Sequence, residues 1–250
     1  MTENYLREVV PDGEILMHIQ IRLRVSLDWN YGVAGTHQSL LALCQKDDRV
    51  FLDLLDLAAS ILGKLPQRSK ALDEIDALLR AGGSAWMVGP DRRCLVRRVE
   101  PEAAQAAKEV IESSGRAGEC LAEAWRQTYG RSPNASAGYR EAVRAVEAAV
   151  CPIILPNNPK PTLGAAIAAL RDAPPGKYAT VFEDNRSGIN PIDEVRGLMS
   201  LVWTNQLDRH GTDNPEVPFH VSQEQAEAVL FAALTLVHWF HRGFFRLVNG

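Results

Sequence analysis

SQEQAEAVLFAALTLVHWF, residues 222–240, is the stretch on which the fold turns. Ser222 followed by Gln225 has the form of a capping box, in which each side chain satisfies the other residue's free backbone N–H. Ala226, Val229, Leu230, Ala233, Val237 and Phe240 then recur on one face, with Phe244 in line beyond them. That is the period of an amphipathic helix and not of a strand. Leu236 and Trp239 lie off this face, so the helix is expected to be covered on more than one side. The apolar run is interrupted and falls short of the roughly 20 residues that span a bilayer, which makes it a core helix.

The same period extends toward the N-terminus. Over Asp193 to Arg209, a continuous stripe is formed by Val195, Leu198, Met199, Val202, Trp203 and Leu207. Thr162 is placed to cap LGAAIAALRD. Before it, the four prolines of CPIILPNNPKP exclude regular helix. In YREAVRAVEAAV, Val143, Val146 and Val150 share a face and Ser136 can serve as the cap. Helices are also predicted from Gly118 to Tyr129 and from Pro101 to about Ser113, with Ser114-Gly115 between them as a boundary.

Further upstream, four helical segments fit Glu14 to Asp28, Gln38 to Cys44, Val50 to Leu62 and Ser69 to Leu79. Gly35, the Gly63 to Pro66 stretch and Gly82-Gly83 punctuate them. Ser84–Val88 and Cys94–Val99, separated by Gly89-Pro90-Asp91, read as the only strand pair, a hairpin. The expected fold is therefore all-α. Residues 1–114 form an N-terminal helical domain with the hairpin at 84–99, and residues 115–250 form a C-terminal helical bundle.

Composition narrows the function classes. With 250 residues, 46% apolar and 23% charged, the chain has the makeup of a globular protein with a sizeable core. Its net charge of −4 gives no global basic footprint, so any polyanion must be met by a local patch. Cys44, Cys94, Cys120 and Cys151 show neither CxxC nor Cys/His spacing, which argues against a zinc site and a disulfide framework. No metal or cofactor is expected. The opening MTENYLREVVPDGE lacks a basic segment followed by an apolar run, and a cytoplasmic chain is expected.

The chemistry concentrates at Arg209-His210-Gly211. The histidine phosphatases also carry Arg-His-Gly, but just beyond an early parallel strand, whereas here the triplet closes a late helix in a chain without βαβ alternation. At about 100° per residue, His210 falls on the side of Met199, Trp203 and Leu207, and Arg209 lies a quarter turn away, near Asn205 and Val202. A structural alternative is a cationic helix end closed by Gly211 in the left-handed conformation. Glu147 flanks the valine face, roughly 40° from Val143. An acid at a core border needs a partner, and the expectation is an approach to Arg209 or His210.

Other polar groups read more plainly. His238 and His241 are one turn apart without a third ligand, so one is expected to be packed and the other exposed. The four arginines of DRRCLVRRV could touch phosphate, although a solvated strand face accounts for them. Trp86 and Trp125 read as core.

Three stretches, taken in order, carry a resemblance: ECLAEAWRQTYGRSPNASAGYREAVRAVEAAVCPIILPNNPKPTLGAAI, GLMSLVWTNQLDRHGT and SQEQAEAVLFAALTLVHWF. Their succession resembles the C-terminal domain of abortive-infection-type proteins, within the HEPN superfamily of helical bundles, over approximately residues 116–243. The resemblance implies antiphage or toxin-like action, a homodimer, and RNA cut without metal by an Arg and a His with four to six residues between them.

Chemically, an arginine can neutralise the scissile phosphate and a histidine can move a proton at the ribose oxygens. This chain departs from the spacing. Counting forward from Arg209, the expected histidine positions hold Asn214, Pro215 and Glu216. Counting back from His210, the arginine positions hold Trp203, Thr204 and Asn205.

The site implied is Arg209 and His210, supported by Glu147 and Asn205, with RNA as the substrate and a protein partner for the N-terminal domain. The alternative is a non-catalytic helical interaction module in which Arg-His-Gly is a structural corner.

Overall fold

Ten helices and two short antiparallel ribbons make up the regular structure among the described residues, which in this computed structural model are 13–64, 69–182, 190–204 and 221–248. The chain is all-α with small β elements, as its periodicity requires. It divides into two compact units, residues 1–98 and 99–250. The helix Pro101–Ser113 falls in the second of these, so the units part ahead of it and not at Ser114-Gly115.

In the first unit, α1 (Gly13–Leu23), α2 (Gly32–Lys46), α3 (Asp48–Leu62) and α4 (Ser69–Ala81) precede a hairpin of β1 (Trp86–Val88) and β2 (Leu95–Arg97). Leu16, Ile19, Leu27, Leu40, Cys44 and Leu54 make one core cluster. Helix α1 stops five residues before the expected Asp28. Arg24 takes a left-handed φ of 54° there, and the Gln20 side chain accepts the Leu27 backbone N–H at 3.1 Å and the Trp29 indole N–H at 3.0 Å. A side chain reaching back thus ends a helix that periodicity alone would continue. Gly35, expected as a break, lies inside α2.

The hairpin pairs Trp86 with Arg97, Met87 with Val96 and Val88 with Leu95. Two carboxylates fasten it to the helices: Asp56 accepts the Leu95 N–H at 2.6 Å and Asp76 accepts the Val88 N–H at 3.1 Å. Arg92 donates to Asp73 at 2.8 Å, and Arg98 donates to the carbonyls of Ser84 and Trp86 at 3.1 and 2.7 Å. Arg93 and Arg97 are exposed. The fold therefore engages half of the arginine set.

The second unit comprises α5 (Pro101–Ser113), α6 (Gly115–Tyr129), α7 (Ala135–Ile154), α8 (Leu163–Arg171), β3 (Tyr178–Thr180), α9 (Pro191–Thr204), α10 (Gln223–His241) and β4 (Phe245–Leu247). Helix α7 is central, in contact with α6, α8, α9, α10 and β4. Its alanines and valines explain this: Ala142, Val143, Ala145, Val146 and Val150 are all buried, on more than one side. Each fully buried valine contributes about 1.5–3 kcal/mol. Gly138 permits the close approach to α6, since a Cβ there would stand 2.5 Å from Thr128 Oγ1.

Two expectations for α7 are corrected. The cap is Asn134, whose side chain accepts the Ala137 N–H at 2.9 Å, and Ser136 lies in the first turn. The helix also runs through Pro152 to Ile154. Pro152 is on the exposed side of the last turn, where a missing N–H removes one hydrogen bond and the chain need not continue as helix. The capping box of Ser222 and Gln225 and the Thr162 cap of α8 are both formed. Leu236, off the main face of α10, is buried like Val237 and Phe240, so that helix is covered on more than one side.

The hairpin is not the only strand pair. β3 and β4 form a second antiparallel ribbon, Tyr178 opposite Leu247 and Thr180 opposite Phe245. Phe245 stacks on Phe240 at 4.7 Å between ring centroids and meets Tyr178 at 5.5 Å. Helix α10 ends at His241, before Phe244, because Gly243 takes a φ of 68° that turns the chain into β4.

Candidate functional site

Asn205, Arg209, His210 and Gly211 lie outside the described residues. Their setting is defined on both sides. Helix α9 leads to Thr204, and the chain is described again from Val221. Within α9, Val195, Met199 and Val202 are buried as the stripe predicts, with Leu198 and Trp203 half-buried.

The C-terminal turn of α9 is tied to α7. The Tyr139 hydroxyl donates to the Val202 carbonyl at 2.8 Å, and both residues are buried, at 1% and 0% exposure. Tyr139 sits on the valine face of α7, one turn beyond the cap, so the hydrogen bond is made inside the core. Three residues earlier, Ser136 Oγ accepts the Val221 N–H at 3.5 Å. Residues three apart are neighbours on a helix. The first two turns of α7 thus hold the chain at Val202 and at Val221.

The start of α10 is held at the same corner. Gln223 donates through Nε2 to the Thr128 carbonyl at 2.8 Å and to Glu227 Oε1 at 2.9 Å. Glu227 in turn accepts the Tyr129 hydroxyl. Burial first, and then the neighbouring Glu227 charge and hydrogen bond, push the Tyr129 hydroxyl well above the ordinary phenol range. Neither Tyr139 nor this network was identified from the sequence. A tyrosine in phase with Val143, Val146 and Val150 was the available signal, because a phenol on a buried face needs an acceptor.

Glu147, by contrast, is described in full. Its Oε1 accepts the Leu163 backbone N–H at 2.9 Å, while the Thr162 hydroxyl accepts the Ala165 N–H at 3.2 Å. Two of the free N–H groups at the start of α8 are thereby satisfied, and a carboxylate there also meets the positive end of the helix dipole. The border acid has a backbone partner. Its expected approach to Arg209 or His210 involves residues outside those described.

Trp203 reaches the same place from the other side. A Cβ on Gly164 would stand 2.5 to 2.7 Å from three atoms of the Trp203 indole, so only glycine lets α8 and α9 approach this closely. Glu147, the first turn of α8 and the Trp203 ring therefore form one neighbourhood, two residues before Asn205.

His238 is half-buried against Phe244, with ring centroids 5.6 Å apart, and His241 is exposed, as their spacing predicts. Trp125 is buried, packed on Tyr129 and Phe231, and Trp86 is half-buried against the first unit's core. None of the four cysteines is in a disulfide; Cys44, Cys94 and Cys151 are buried. Burial pushes the Cys44 and Cys151 thiols up to about 11, with the Glu147 charge adding to the effect at Cys151. Among the described residues, no three His, Cys, Asp or Glu side chains are placed to hold a metal, and no helix is long and apolar enough to cross a membrane.

Compared with family models, curated proteins and solved structures, the chain matches none.

Proposed function

We propose that this is an abortive-infection-type protein of the cytoplasm, antiphage or toxin-like in action. Its C-terminal helical bundle is a diverged HEPN-like domain that cuts RNA without metal through a degenerate Arg-His motif. Arg209 would neutralise the phosphate and His210 would move the proton, with Asn205 and Glu147 in support. The active form would be a homodimer, and the N-terminal unit would receive a protein partner.

The observation that carries this reading is the anchoring of α9. The Tyr139 to Val202 hydrogen bond and the Trp203 to Gly164 contact set a helix end firmly in the core just ahead of Asn205, Arg209 and His210. A catalytic pair needs such a support, because rate depends on holding reacting groups within fractions of an ångström.

A second reading, a non-catalytic interaction module with Arg-His-Gly as a structural corner, is favoured by Glu147. Its carboxylate is already engaged by the Leu163 N–H. Incubating the purified protein with end-labelled RNA in the presence of a chelator, beside a His210→Ala variant, separates the two readings. Cleavage lost in the variant while its melting temperature is retained supports the RNase. Absence of cleavage, or equal cleavage by both proteins, overturns it in favour of the structural corner.

A further inference from the structure

We draw no further inference here: the strongest candidate, the set of exposed apolar side chains Val181, Phe182, Leu247 and Val248 along the β3–β4 ribbon, carries nothing because nothing in the structure shows what covers it.

Discussion

Replacing Tyr139 by phenylalanine removes one oxygen and leaves the ring in its place. In the folded chain that hydroxyl donates to the Val202 carbonyl at 2.8 Å, with Tyr139 1% exposed and Val202 fully buried. The net value of such a hydrogen bond is about 0.5–1.5 kcal/mol, and a carbonyl left desolvated without its donor raises the loss toward about 1–3 kcal/mol. A destabilisation of about 1–2 kcal/mol is therefore expected. For a unit of about 150 residues, each kcal/mol moves Tm by roughly 2–4 °C, so Tyr139→Phe should lower the second unit's Tm by roughly 2–8 °C.

Urea unfolding followed by circular dichroism should show the same loss as a lower midpoint with an unchanged slope. Titration provides an independent reading. Burial pushes the Tyr139 hydroxyl from the ordinary 10 up to about 12. The unfolded chain therefore ionises this group first. The stability it contributes is fully present below pH 10 and is lost as pH rises toward 12. The phenylalanine variant should lack that part of the alkaline decline. An unchanged urea midpoint together with an unchanged alkaline slope would refute the assignment of Tyr139 as the tie between α7 and α9.

Three other outcomes are expected. Gly164→Ala should displace the Trp203 indole and destabilise the second unit by about 1–3 kcal/mol, as overpacking does. The penalty should shrink in a Trp203→Leu background, and two additive penalties in that double-mutant cycle would contradict the contact. Glu147→Ala should lower stability by about 1 kcal/mol through loss of an acceptor for the Leu163 N–H, whereas Glu147→Gln, which keeps an acceptor oxygen, should recover most of it. Equal losses in the two variants, measured by urea midpoint, would show that the charge and not the hydrogen bond matters. Finally, the Cys44 and Cys151 thiols, raised from 9 to about 11, should make the fold less stable as pH climbs through that interval, because only the unfolded chain ionises them there. Cys44→Ala and Cys151→Ala should each flatten the midpoint against pH between 9 and 11; an unaltered curve in both would count against this origin.

Local chemistry was legible in the linear chain wherever it is self-contained. The Ser222–Gln225 capping box, the Thr162 cap, Pro101 at the head of α5 and the apolar faces of α9 and α10 are decided within a few residues. An isolated segment already carries that information. The candidate site was legible only as residue types. Arginine beside histidine suggests phosphate and proton chemistry, yet what Glu147 binds depends on where α8 begins in space. That carboxylate took the backbone N–H of Leu163, 16 residues away, as its partner.

Tertiary structure decided the features that join distant parts of the chain. Gln20 ends α1 by reaching Leu27 and Trp29. β3 and β4 pair across more than 60 residues, each too short to show an alternating pattern. Pro152 stays within α7 because only the solvent side of its last turn is affected. Gly164 owes its place to the Trp203 ring, and Tyr139 to a carbonyl 63 residues away. Periodicity and capping arise from interactions between near neighbours, so the order of residues alone determined that this chain is helical and where most of its helices start. Which polar group meets which is set by burial, since a desolvated donor or acceptor takes the partner that packing brings to it. That choice exists only once α6, α7, α8, α9 and α10 have closed around one another.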